Sequence, residues 1–106
     1  MMKAAFRRLA LALPGAEEKS HFGKADFRVR NKIFASLKDD VTGVIKLMPE
    51  QQAMMADAEP KVFQPINGGW GRKGWTRVDL AKADEITLKS ALQTAWRNVA
   101  PKTLKT

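Results

Sequence analysis

Cysteine is absent from the 106 residues, which removes a disulfide frame, a thiolate metal site and a thiol nucleophile together. The fold must be held by packing. Histidine occurs once, at His21, so no second imidazole can complete a histidine-based metal cluster, and no serine sits in a recognisable catalytic frame. An ordinary histidine near a strand end is the expectation there. Acidic residues are scarce, 11 against 19 lysines and arginines. No apolar stretch approaches the ~20 residues of a membrane span. Residues 1–16 imitate a secretory leader, with Lys3, Arg7 and Arg8 ahead of Leu9-Ala10-Leu11-Ala12-Leu13. An apolar leader core needs about 7–15 residues, and this uninterrupted run of five is too short. The expectation is a cytoplasmic chain with no membrane partner. No repeat, linker or low-complexity segment divides it, so residues 1–106 read as one domain with a frayed tail at 102–106.

The net charge of +8 favours polyanionic partners through summed potential and counterion release. It carries no information about fold. Fold is read from periodicity. Phe6, Leu9, Ala10 and Leu13 recur at helical spacing over residues 3–13, and Pro14-Gly15 stops that helix. Residues 17–22 and 25–30 read as strands around Gly23-Lys24, with Phe27 and Val29 on one face and Asp26, Arg28 and Arg30 on the other. Asn31-Lys32 then turns the chain into 33–38, and Asp39-Asp40 into a β-branched strand at 42–47. Pro49 and Glu50 open a short helix to Ala58, with Met54, Met55 and Ala58 as its expected core stripe. Pro65 confines the extended residues 62–66 to a sheet edge or a bulge. The last helix starts at the N-cap Asp84, runs an apolar face through Ile86, Leu88, Leu92, Ala95, Trp96 and Val99, and ends at Pro101. Strand runs with helices between them indicate an α+β two-layer domain, an antiparallel sheet with one face beneath helices.

The stretch Asn67-Gly68-Gly69-Trp70-Gly71-Arg72-Lys73-Gly74 stands out, because glycines 69, 71 and 74 spell G-x-G-x-x-G. A dinucleotide fold needs those glycines to open a helix, whereas here Trp75, Thr76 and Val78 announce a strand. The expectation is a tight inter-strand turn with positive-φ positions. In the strand that follows, Trp75, Arg77 and Asp79 share one face, and Thr76, Val78 and Leu80 the other. Glu17-Glu18 and Asp39-Asp40 are adjacent pairs that diverge in extended chain, so neither presents convergent carboxylates for hydrolysis.

In order along the chain stand Leu13-Pro14-Gly15-Ala16-Glu17, His21-Phe22-Gly23, Phe27-Arg28-Val29, Lys32-Ile33-Phe34-Ala35, Lys46-Leu47 with Pro49-Glu50, Gly74-Trp75 with Val78 and Leu80, and Ala95-Trp96 with Val99-Ala100-Pro101-Lys102. This series resembles the MmcQ/YjbR-like proteins over nearly the whole chain. Ala25 stands where that family commonly has proline, and Asn31 where it commonly has glycine. The resemblance implies an α+β domain akin to secretion-chaperone-like or frataxin-like folds. It also implies a DNA-binding description that rests on fold similarity, with no catalytic residues and no cofactor or metal.

The expected function is therefore non-catalytic contact with DNA or another polyanion. It would use Lys24, Arg28, Arg30 and Lys32 around the hairpin and Trp70, Arg72, Lys73 and Arg77 around the glycine-rich turn. That requires the two segments to share a surface. The alternatives are a protein- or peptide-binding module, self-associating through a sheet face or edge, and a small-ligand binder or enzyme built on the glycine turn.

Overall fold

Side-chain parity and a few obligatory turn residues set the order of elements before any tertiary contact forms. The computed structural model describes residues 2–104, with His21 described by its backbone alone. Its elements are α1 (Met2–Leu11), β1 (Ala16–His21), β2 (Lys24–Val29), β3 (Lys32–Leu37), β4 (Thr42–Lys46), α2 (Pro49–Ala58), β5 (Phe63–Pro65), α3 (Gly69–Arg72), β6 (Trp75–Asp79), α4 (Glu85–Val99) and a 3-10 turn at Lys102–Leu104. The architecture is the expected α+β one, a six-stranded antiparallel sheet with helices packed against it.

Both early hairpins close through two-residue turns. Phe22 and Gly23 have φ of 52° and 78°, and Arg30 and Asn31 have φ of 49° and 70°. Two consecutive positive φ values make turns whose twist matches the flanking strands. The pairs His21↔Lys24 and Val29↔Lys32 flank them, one residue earlier than the turns expected at Gly23-Lys24 and Asn31-Lys32. Asn31 takes the left-handed conformation a glycine would supply at little cost. Arg30 is thereby a turn residue and not the end of a strand.

The strands lie in the order β1-β2-β3-β4-β6-β5. β6 enters between β4 and β5, leaving Pro65 on an edge strand, where its missing N–H costs no ladder bond. Phe6, Phe27, Phe34, Ile45, Leu47, Val78 and Leu92 are fully buried between the sheet and the α1/α4 layer. Phe6 meets Phe27 edge-on at 5.8 Å, and Trp96 Nε1 donates to Pro14 O at 2.9 Å, tying α4 to the end of α1.

Two expectations about the helices fail. Met54 is 69% exposed and Ala58 is exposed as well, so that of the expected stripe Met55 alone packs partly buried against the core, and the one buried residue of α2 is Gln52, which faces the β5 and β6 side. Ile86 is 84% exposed, since it lies about 200° around the helix from Leu88 and so off the buried stripe. The end of the chain is ordered as far as Leu104, which packs partly buried on the core near Gly15, while residues 105–106 lie outside the described residues.

Asp84 caps α4, its Oδ1 accepting from Thr87 N–H at 2.7 Å. That backbone bond, with the Thr87 side chain behind it, holds its carboxyl below the usual range. A lowered folded pKa means stability that is present above the unfolded value of about 3.9 and is lost as pH falls through the folded one. Asp84→Ala is therefore expected to lower Tm by roughly 5 °C at neutral pH. Asp84→Asn should keep most of the cap and flatten the acid dependence of Tm, as followed by circular dichroism melts.

Candidate functional site

Helices cover one face of the sheet, and the residues of opposite parity meet on the other. Lys24, Asp26 and Arg28 on β2 alternate with the buried Phe27 and Val29. A bulge then re-sets β3: Phe27 faces Ala35 while Arg28 faces Ile33, so Phe34 is the extra residue. Phe34 and Ala35 both point into the core, and Ile33 and Ser36 both point out. Val44 and Lys46 of β4 face out beside them, followed by Trp75 and Arg77 of β6 and Gln64 of β5, by the pairs Ser36↔Val44, Lys46↔Trp75, Val44↔Arg77 and Gln64↔Arg77.

This open face holds a groove of about 600 Å³. Its floor is Ile33, Ser36 and Val44; Ile66, Trp70 and Trp75 form one wall, and Phe22, Lys24, Asp26 and Lys38 the other. A second recess of about 390 Å³ adjoins it, sharing Lys38, Val44 and Ile66 and adding Gln64 and Arg77. Phe22, 93% exposed at a positive-φ turn position, stands at the rim.

The wall nearest β6 is a pair of rings flanked by two cations. Lys46 Nζ lies 5.2 Å from the Trp75 ring, Trp75 meets Trp70 at 5.9 Å with planes 71° apart, and Lys73 Nζ lies 5.7 Å from the Trp70 ring. Trp75 Nε1 is buried without an acceptor among the described residues. The glycine-rich segment that carries this wall is not the plain turn expected. Gly69–Arg72 forms a single helical turn between Gly68, with φ 82°, and Gly74, with φ 107°. A Cβ at Gly71 would overlap the carbonyl oxygen of Ile66, and one at Gly74 that of Leu47. These glycines serve backbone-to-backbone packing, and four residues of helix present no phosphate-binding amide array. From α2, Gln52 Nε2 reaches Gly71 O at 3.0 Å, Trp75 O at 3.0 Å and Thr76 Oγ1 at 3.1 Å, clamping the segment to β6.

The eight residues expected to form the site are partly brought together. The hairpin tip at Arg30-Asn31 and the glycine-rich segment lie at the same end of the sheet, separated by three strand spacings from β2 to β6, roughly 14 Å. Lys24, Trp70, Lys73 and Arg77 gather around the open face. Arg28 shares that face, but its guanidinium is taken: Nε and Nη2 donate to Asp26 at 2.8 and 3.1 Å and Nη1 to Asn31 at 3.1 Å. The Asp26 bond, more than the attraction of its charge, raises the Arg28 pKa above its ordinary value. Arg30 is exposed at the hairpin tip. Lys32 pairs with the buried Val29 and so leaves on the helix side, and Arg72 turns toward a recess beside Gln52 and Pro65. Sequence reading missed Lys38 and Lys46, although the outward parity of Val44 carries Lys46 with it.

Several other acids are engaged elsewhere. Arg7 Nε donates to both Glu18 oxygens at 3.0 and 3.2 Å, Lys3 pairs with Asp40 at 2.9 Å, and Arg8 with Glu85 at 2.6 Å. Asp39 accepts from Val41 N–H at 2.9 Å, the main reason its carboxyl titrates low. Among the described residues no cluster of three metal-ligating side chains occurs, and the His21 side chain lies outside what is described. No described helix is long and apolar enough to cross a membrane.

Residues 11–98 match the family model described as YjbR. Among solved structures, the fold is similar to the crystal structure of Deinococcus radiodurans protein DR2400, described by the domain DUF419. The TM-score is 0.73 at 21% identity, covering 92% of this chain and 77% of that one. Likeness at that identity speaks to fold alone. No curated protein is significantly similar to the chain.

The clamp predicts its own removal. Gln52→Leu keeps the side-chain bulk but withdraws a buried donor from three acceptors, and is expected to cost about 1–3 kcal/mol in urea unfolding. Because α3 then loosens, Trp emission should shift toward a more solvated value before global unfolding. Loss of stability without that early shift would mean Gln52 does not hold the aromatic wall.

Proposed function

The chain belongs to the YjbR family, and on that premise we propose that it is a non-catalytic, cytoplasmic domain whose open sheet face binds nucleic acid through phosphate contacts. The observation that carries this reading is the set of cations on that face. Lys24, Lys38, Lys46, Lys73 and Arg77 surround the groove and its adjoining recess, and none forms an ion pair among the described residues. Asp26 and Asp79 are held by Arg28 and Lys82, while Asp39 and Asp40 lie beside Lys38 at one end of the face. A surface carrying unpaired positive charge gains affinity by releasing condensed counterions. The hairpin-centred footprint expected from sequence thus narrows to the sheet face, with Arg28 positioning Asp26 and the turn instead of touching phosphate.

A second reading, a peptide-binding or self-associating module, draws on the groove floor of Ile33 and Val44 and on the edge strand β1, which pairs with β2 alone. A stable dimer would bury about 1,000 Å² or more, so mass measured across a concentration series separates this reading from the first.

Engagement of about four of these cations gives a slope of log K against log salt of roughly −3 to −4. Lys38→Glu, Lys46→Glu and Arg77→Glu should each weaken binding on every sequence tested and flatten the slope by about one unit per contact. Lys89→Glu, exposed on the outer side of α4, should leave it unchanged. A flat salt response, or no binding to duplex or single strands at low salt, would overturn the reading.

A further inference from the structure

We infer that the occupant of the groove is an unpaired stretch of nucleic acid, with a base stacked on Trp70 and the flanking phosphates held by lysines on both rims. This rests on the nucleic-acid reading above and says which form of nucleic acid the face selects. A duplex turns its phosphates outward and keeps the flat faces of its bases stacked inside. Docked on this sheet, it would satisfy the lysines but leave the apolar floor and the Trp70 ring uncovered. An unpaired base has an apolar π-face that needs covering, and the groove supplies the complementary surface.

The ring is built to receive one. Trp70 is 63% exposed, yet its position is fixed: Trp75 meets it at 5.9 Å and 71°, and the helical turn that carries it is pinned by Gln52 and by the close approach of Gly71 to Ile66. Little ordering entropy is then left to be lost on binding. The floor offers two aliphatic side chains, Ile33 and Val44, and one small hydroxyl, Ser36. Such a floor recognises the shape of a base but has few groups to read its edge, so the selection is for single strands over duplex and is tolerant of sequence. Charge is distributed to match. Lys73 and Lys46 lie against the tryptophan wall, and Lys24 and Lys38 line the wall opposite, so the phosphates on either side of a seated base meet a cation.

The test compares an oligodeoxythymidylate with a duplex of equal length at fixed salt, reading affinity and the emission of the unaltered protein. The expected result is tighter binding of the single strand, with quenching of Trp emission that the duplex does not produce. Trp70→Ala should lose about 5- to 150-fold in single-strand affinity, so that the ratio of single-strand to duplex affinity falls toward one. Trp70→Phe, which keeps a stacking ring, should restore most of that ratio. Equal affinity for the two forms without quenching, or a Trp70→Ala variant with the ratio intact, overturns the inference while leaving the phosphate reading in place. Failure of both nucleic acids to bind at low salt overturns both. The emission measurement on the unaltered protein decides the matter even where the alanine variant does not fold.

Discussion

Two places where backbone must touch backbone govern this molecule. Gly71 against the Ile66 carbonyl and Gly74 against the Leu47 carbonyl leave no room for a side chain. Their contact lets the chain leave β5, make one helical turn and re-enter the sheet as β6 between β4 and β5. Everything on the open face follows from that insertion. It sets Trp75 beside Lys46, lifts Trp70 against Trp75, and carries Arg77 next to Val44. Gln52 reinforces it from α2, which explains why the buried position of that helix is a polar one. Burying an amide is tolerable only because its hydrogen-bond partners are on hand.

The electrostatics of the surface depend on pairing more than on the count of basic residues. α1 spends its cations internally, with Lys3, Arg7 and Arg8 each paired to a carboxylate. On the sheet side, Arg28 is bound to an acid, and the bidentate Asp26 bond converts it from a candidate ligand into part of the scaffold. The lysines around the groove and Arg77 form no ion pair among the described residues. An aromatic wall beside unpaired lysines is a surface suited to a flat, anionic polymer.

Much of the fold was legible because its signals are local. Pro14-Gly15, Asn31, Pro49, Pro65, Asp84 and Pro101 each constrain only their own neighbourhood, and the helix and strand boundaries they imply stand within a few residues of those observed. Parity alone separated Thr76, Val78 and Leu80 from Trp75, Arg77 and Asp79, and burial in the structure identifies the first set as the inward one. Misreadings arose where apolar content stood in for geometry: Met54 and Ile86 are apolar yet exposed, each off the buried side of its helix. The bulge at Phe34 left no mark in the alternation that could be read without its partner strand.

The amino-acid order by itself determined the elements, the division of β6 into two faces, the edge role of Pro65 and the family likeness, because propensity, parity and punctuation act over a few residues. Only the tertiary structure decided which cations are held in ion pairs and which share a face. Strand order, the bulge and the Asp26–Arg28 pair are settled by contacts between distant segments and by the exact reach of side chains, neither of which the spacing of residues along a chain encodes.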